Sequence, residues 1–287
     1  MNNIHPRPLL IDLFAGGGGA AMGYSQAGFD ILGVDIKPSP RYPFRFIQMD
    51  AFEFLERYIA GEFEPAQAFH ASPPCQGYSV MNNLPWLKGR EYPLQILPLR
   101  EALNAIGKPY VIENVMGARW GAKGLTKRGL EAHGMQAGWF CGTMFGLPFY
   151  RHRLFETNWF WLQPGHPKHQ MNLHPRSERF VYGGTVKGLP GGTAGLDVRP
   201  RDPFHDKDGK SMLGPGNMSK GAGLGRWQNG AQAGGVGIGH AKGWRLAAEV
   251  MEIDWMTRAE LTQAIPVVYC AYLGECLMRH LETRSST

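Results

Sequence analysis

The chain of 287 residues is long enough for one large α/β domain, or one domain with a substantial insertion, and 43% hydrophobic residues can build a core. A formal net charge of +6 suits a polyanionic partner without requiring one. Cys75, Cys141, Cys270 and Cys276 form no Cys-x-x-Cys pair or disulfide framework, no apolar run approaches about 18 residues, and Met1 to Arg7 lacks the core of a secretion signal, so a soluble cytoplasmic protein is expected rather than a secreted or membrane one.

Leu9 to Phe14 reads as an apolar strand that runs into Ala15-Gly16-Gly17-Gly18-Gly19, followed by a helix from Ala20 to Ala27. Strand, glycine turn and helix open a nucleotide-binding α/β unit, because glycines let a ligand lie against bare backbone at a helix N-terminus. The spacing is not the G-x-G-x-x-G dinucleotide fingerprint, since position 21 is Ala, and a plain flexible turn is the alternative. A second strand, Ile31 to Val34, ends on Asp35, about 20 residues past the turn, where such folds hydrogen-bond ribose hydroxyls. The third, Arg45 to Gln48, leads to Asp50, which can accept from an adenine amino group or cap the helix Ala51 to Ile59.

Ala66 to Ala71 reads as a short buried strand, and Ser72-Pro73-Pro74-Cys75-Gln76-Gly77-Tyr78-Ser79 follows it. Pro73 and Pro74 fit neither a central strand nor a helix interior, so they make a rigid loop at the strand's carboxyl end, where the ligand crevice of an open parallel sheet lies. Cys75 emerges from that loop as a candidate nucleophile; a free thiol has a pKa of about 8.5, and backbone amides or a nearby cation would raise its thiolate fraction. The alternative is an inert buried cysteine. Tyr78 to Tyr92, with Trp86, Lys88 and Arg90, is a basic and aromatic stretch that can close over a polyanion or be ordinary surface loop.

Leu94 to Ala105 is predicted helical, and Tyr110-Val111-Ile112 is a strand delivering Glu113, a carboxyl whose pKa should rise if desolvated. Trp139 to Thr157 is β-like, and alternation in Tyr150 to Phe155 places Arg151 and Arg153 on one face, suited to an anion or a carbonyl-rich base edge; a solvated basic edge strand is the alternative. From Trp161 to about Gly243 the chain is rich in Gly, Pro and basic residues. His166, His169 and His174 cluster there, but that stretch holds no cysteine, so they read as solvated loop histidines and no metal is expected. Regular pattern resumes at Trp244 to Met256, and a last helix begins after Pro266, where core packing accounts for Cys270 and Cys276.

In this order the pieces resemble the cytosine-C5 DNA methyltransferase family over most of the chain: Asp12 to Gly19 its cofactor loop, Ser72 to Ser79 its catalytic loop, and Glu113-Asn114-Val115 and Arg151-His152-Arg153 its remaining catalytic segments. The resemblance implies an α/β fold, a Rossmann-like S-adenosylmethionine-dependent methyltransferase sheet with a small loop-rich second domain. The implied division is a catalytic and cofactor-binding domain over 1–160, a target-recognition region over 161–243, and C-terminal helices over 244–287 that return to the catalytic domain. The implied cofactor is S-adenosylmethionine, lined by Phe14, Ala15, Gly16, Gly17, Gly18, Ile36, Pro74 and Gln263, with Asp35 on the ribose and Asp50 on the adenine.

Implied catalysis has Cys75 adding to C6 of a flipped cytosine in double-stranded DNA, Glu113 at N3, and Arg153 at O2 with Arg151 beside it. A monomeric bacterial or phage enzyme, orphan or paired with a restriction partner, is the expected setting. The chain departs from the family at Phe149, where Gln is usual, at Gln263, where Asn is usual, and at Asp35, which is commonly Glu. Three other readings are weaker. The tRNA-methylating branch of the family shares the single-cysteine design. An inactive DNA-binding paralogue would have no reason to keep Cys75, Glu113 and Arg153 together, and a dehydrogenase-like Rossmann protein leaves the Pro-Pro-Cys loop unexplained.

Overall fold

The computed structural model describes residues 7–78, 90–120, 136–147, 151–167 and 244–285. Its strands are β1 (Leu9–Leu13), β2 (Asp30–Asp35), β3 (Arg45–Gln48), β4 (Ala68–Ala71), β5 (Tyr110–Asn114), β6 (Gln136–Phe140) and β7 (Arg153–Thr157). Its α-helices are α1 (Gly19–Gln26), α2 (Ala51–Ile59), α3 (Ile96–Ile106), α4 (Gly117–Trp120), α5 (Trp244–Val250), α6 (Arg258–Gln263) and α7 (Val267–Ser285). The strands form one sheet in the order β3-β2-β1-β4-β5-β7-β6, parallel from β3 to β5, with β7 antiparallel to both neighbours. Chain order reverses between β1 and β4, and an open parallel sheet has its ligand crevice beyond the carboxyl ends at such a reversal.

Both faces of the sheet are covered, which is why β1, β4 and β5 are buried along their whole length. Alternate residues of β1 serve opposite layers: Leu9, Ile11 and Leu13 pack with Phe54 of α2 and Leu99 of α3, whereas Leu10 packs with Tyr24 of α1 and Tyr269 and Leu273 of α7. α2 begins as expected: Asp50 accepts from the backbone N–H groups of Phe52 and Glu53. Thr257 and Glu260 form a reciprocal capping box at the start of α6.

The arginine-bearing strand differs from its expected form. Regular pairing begins at Arg153, so Arg151 precedes the strand, and β7 lies between β5 and β6 rather than at an edge. The solvated-edge alternative is thereby overturned: Arg151 is 2% exposed. Trp161 is also buried, packing on Phe140 of β6, so the chain stays on the sheet just beyond β7. Of the region assigned to target recognition, residues 168–243 lie outside the described residues, as do Ser79, Trp86 and Lys88. Among the described residues no helix is long and apolar enough to cross a membrane.

An ion pair inside the molecule ties β7 to α3. Arg100 Nη2 lies 2.7 Å from Glu156 Oε2, with both side chains almost fully buried. Truncating one partner of such a pair leaves the other charge desolvated and alone, at a cost of about 3–5 kcal/mol, whereas replacing both with apolar groups is often tolerated. Glu156→Ala is therefore expected to lower unfolding free energy by about 3–5 kcal/mol in urea denaturation, and Arg100→Met with Glu156→Leu to recover most of it. A loss below about 1 kcal/mol for the single variant would show that the pair does not brace the strand.

Candidate active site

Parallel pairing of β1 with β4 and of β4 with β5 brings three strand ends side by side. Leu13 is in register with Ala71, Ala71 with Ile112, and the Ser72 N–H donates to Leu13 O at 3.2 Å. The glycine turn, the Pro-Pro-Cys loop and Glu113 thus open at one end of the sheet. Asn114 Nδ2 donates to Pro73 O at 2.9 Å, which fastens the loop to β5 and fixes where Cys75 emerges. Cys75 is half-buried, and the charges of Glu113, Arg153 and Arg151 all act on its thiol.

Glu113 is 7% exposed at the end of β5. Arg153 Nε approaches its Oε1 to 2.9 Å, yet that oxygen receives no well-aligned hydrogen bond, so the contact is chiefly electrostatic. Burial pushes the Glu113 pKa up, and Arg153, Arg151 and the Ser72 hydroxyl pull it back only in part. A carboxyl in this state can carry a proton nearer neutrality than an ordinary glutamate.

The thiol departs from expectation. Burial raises the Cys75 pKa, Glu113 raises it further, and the two arginines offset this incompletely. The resting group is a thiol, because desolvation outweighs the cations. Protonating Glu113 would remove the carboxylate's opposition while leaving both guanidiniums, so a proton on Glu113 favours a thiolate at Cys75.

The two arginines differ in setting. Arg153 is partly exposed and donates through Nη1 to His152 O at 3.0 Å as well as facing Glu113. Arg151 is buried: its Nη2 donates to Thr262 O at 2.9 Å, and its carbonyl accepts from Tyr269 Oη at 2.6 Å. Burial and the like charge of Arg153 lower its pKa to about 9, which leaves it cationic at neutral pH. Arg151 therefore ties the start of β7 to α6 and α7 while adding positive potential at Glu113 and Cys75.

On the glycine side, Asp35 accepts from the N–H of Gly16 through Oδ2 and of Lys37 through Oδ1, both at 2.9 Å, locking the turn to β2. Gly16 has φ +52° and open space where a side chain would stand, so its backbone faces outward. Other glycines of the run are closed in by neighbouring chain. A Cβ on Gly17 would lie 2.9 Å from Met256 Sδ, and one on Gly19 would lie 2.7 Å from Ile265 O, so these positions are small because the C-terminal segment packs on them.

Trp255 Nε1 also donates to Gly17 O at 2.7 Å. Phe14 is half-buried with φ +56°, Ala15 and Gly18 are buried, Pro74 is half-buried, and Ile36 is 62% exposed beside Asp35. Asp50 uses Oδ1 for its cap. Gln263 is exposed at the end of α6, while its neighbours Ala264 and Ile265 approach Gly19.

Several residues around this end escaped sequence reasoning. Asp12, in a strand read as apolar, accepts from Tyr42 Oη at 3.0 Å, and its partner in register, His70, is 3.0 Å from Tyr24 Oη through Nδ1 and 2.9 Å from Ser72 Oγ through Nε2. A charged or polar residue in an otherwise apolar strand was the available signal. His166 is near Cys141 and His152, whereas His169 and His174 lie outside the described residues.

No model of a known protein family matches the chain, and neither does any curated protein sequence. Solved structures do. A Schizosaccharomyces pombe Dnmt2 methyltransferase aligns over 96% of this chain and 99% of its own, with 14% identity and a TM-score of 0.55. A variant of Spodoptera frugiperda DNMT2 aligns over 94% and 99%, with 14% identity and a TM-score of 0.52. A DNA modification methyltransferase encoded within an E. coli prophage is 22% identical over 52% of this chain, which spans only 46% of its length, with a TM-score of 0.38. The two full-length likenesses establish the fold: the mixed seven-stranded sheet is the Rossmann-like sheet of the Dnmt2 structures.

The buried polar row behind the site makes a stability prediction. Burial pushes Asp12 from 3.8 up to about 7 and His70 from 6.5 down to about 3. The folded state holds the Asp12 proton that the unfolded chain releases, so this group lowers stability as pH rises from about 4 to about 7. His70 stays neutral where the unfolded chain protonates, so it raises stability from about pH 3 to about 6.5. The two slopes oppose over nearly one window, so the joint contribution of Asp12 and His70 should be nearly flat from about pH 5 to about 6.5. Asp12→Asn keeps an acceptor for Tyr42 but removes one slope, so the variant should be less stable at pH ~5 than at pH ~7 by on the order of 1–2 kcal/mol in urea denaturation. An equal pH response in both proteins would contradict the opposition.

Proposed function

We propose that the protein transfers a methyl group from S-adenosylmethionine to C5 of cytosine in double-stranded DNA. The observation that carries this reading is the meeting of Cys75, Glu113 and Arg153 at the sheet's crevice, beside the glycine turn. The S-adenosylmethionine fit rests on the outward-facing Gly16 backbone and the Asp35 carboxylate at the tip of β2. Phe14, Ile36 and Pro74 supply exposed or half-buried apolar surface around them. When bound, the cofactor supplies an electrophilic methyl on a sulfonium centre.

Cytosine C5 is too weak a nucleophile to take that methyl unaided, and the residues around Cys75 address this deficit. In the proposed mechanism the Cys75 thiol gives its proton to solvent and the thiolate Sγ forms a bond to C6, while the ring's C5–C6 electron pair moves toward C5 and Glu113 holds a proton at N3. Arg153, beside Glu113, would face the O2 edge, and Arg151 holds the strand start and adds positive potential. Once C5 carries the methyl, a solvent base takes the C5 proton, the C–H electron pair re-forms the C5–C6 double bond, and the S–C6 bond breaks to release Cys75 as a thiolate. The base must leave the duplex to reach this crevice, at a cost of a few kcal/mol in stacking and pairing. The basic charge of the chain, and of the region over 161–243, suits the phosphate contacts that would offset that cost.

The decisive test uses duplex DNA with 5-fluorocytosine, incubated with enzyme and S-adenosylmethionine. Fluorine cannot leave as a proton does, so a denaturant-stable adduct is expected with wild type and none with Cys75→Ser. An adduct on RNA of the same sequence and not on DNA would reverse the substrate assignment, and an adduct with Cys75→Ser would remove Cys75 from the chemistry.

Glu113→Ala should lower kcat by about 10²–10⁴. With Glu113 required in its protonated form, wild-type kcat/KM should fall on the alkaline side with a midpoint above the ordinary carboxylate range. A flat alkaline limb would contradict the proton-holding role.

A further inference from the structure

We propose that Cys141, His152 and His166 form a binding site for a thiophilic divalent cation, zinc foremost, on grounds independent of the methyl-transfer reading. The three residues come from three segments that the fold closes together. Cys141 follows the last residue of β6, and His152 precedes the first residue of β7. Phe140 is in register with Arg153, so one rung further on Cys141 stands opposite His152. His166 arrives from the chain beyond β7, which runs back along β6: Gln163 Oε1 accepts from the Trp139 N–H at 3.0 Å, and the Trp161 N–H donates to Gln136 Oε1 at 3.1 Å.

One sulfur and one nitrogen from each imidazole lie within 4.8 Å of one another. In a tetrahedral zinc site, bonds of about 2.0–2.3 Å put neighbouring ligand atoms roughly 3.3–3.6 Å apart. The present spacing thus needs a closure of about an ångström, within the reach of side-chain rotation.

The surroundings suit a structural cation. Cys141 is fully buried and the histidines half-buried, so the site has an inner sulfur and an outer imidazole pair. The Trp139 ring walls it, with its centroid 5.4 Å from that of His152 and 4.8 Å from that of His166. Thr143 Oγ1 donates to Cys141 Sγ at 3.3 Å, the kind of outer hydrogen bond that orients and stabilises a ligating thiolate.

A thiolate with two imidazoles, and no carboxylate in the cluster, selects zinc over magnesium or calcium. Binding displaces the thiol proton and leaves one coordination position for water or a further ligand. The cation would pin the segment after β7 to the β6–β7 pair, and through His152 it would hold the backbone between Arg151 and Arg153.

The test is metal binding by the full-length protein without a polyhistidine tag. After zinc loading and extensive dialysis, mass spectrometry of the metal should give one equivalent per chain for wild type. A chromophoric competitor should show His166→Ala weakened at least about tenfold, since even outer-shell losses cost about 10–100-fold. Cobalt loading should give a thiolate-to-cobalt charge-transfer band that disappears in Cys141→Ser and persists in Cys75→Ser. Because Cys141 is buried and its variant can misfold, the half-buried His166 variant keeps the proposal testable. No stoichiometric metal in wild type, equal affinity in His166→Ala, or a charge-transfer band surviving in Cys141→Ser would each overturn the site.

Discussion

A carboxyl group in a desolvated pocket, with two guanidiniums acting on it, is the constraint around which the crevice is built. Burial raises the Glu113 pKa and the arginines lower it, and the net shift is upward. The same contest governs Cys75, whose thiol is held protonated by burial and by the neighbouring carboxylate. Proton position is therefore shared between the two groups: neutralising one eases ionisation of the other. A pair arranged like this can switch state with little net charge change, which a water-excluded site requires.

Holding that arrangement draws on distant parts of the chain. Arg151 is anchored by Thr262 and Tyr269, so the last two helices help position the start of β7. The same C-terminal unit closes on the glycine turn through Trp255, Met256 and Ile265. Small residues in the turn thus serve chain packing as much as ligand access, and the outward face narrows to Gly16 and its lock on Asp35. Beneath the strand ends, Tyr42 with Asp12 and Tyr24 with His70 give buried polar groups their partners. His70 passes its second nitrogen to Ser72, whose hydroxyl in turn contributes to Glu113, so the polar row reaches the crevice.

The far side of β7 has a different organisation. Arg100 and Glu156 brace the strand from α3, and aromatic packing of Phe140, Phe155, Trp161 and Tyr269 fills the layer behind it. Cys141, His152 and His166 lie at the end of this hairpin, where side chains from three segments meet around Trp139.

Local signals made much of this legible. Apolar runs marked the central strands because both faces of the sheet are covered; Asp50 marked the start of α2 because a cap is a short-range interaction; the prolines marked a loop because they exclude regular structure. Cys75, Glu113 and the arginine pair were recognisable as residue types at strand ends, and pairing in the folded sheet brings those ends together.

What sequence could not disclose depends on distance in space and on solvent exclusion. Arg151 lost its expected place within the strand because register, set by pairing with β5 and β6, begins at Arg153. The protonated resting thiol, the opposing titrations of Asp12 and His70, and the meeting of Cys141 with His166 all follow from which groups are desolvated and which segments pack together, and neither property is written in the spacing of residues along a chain.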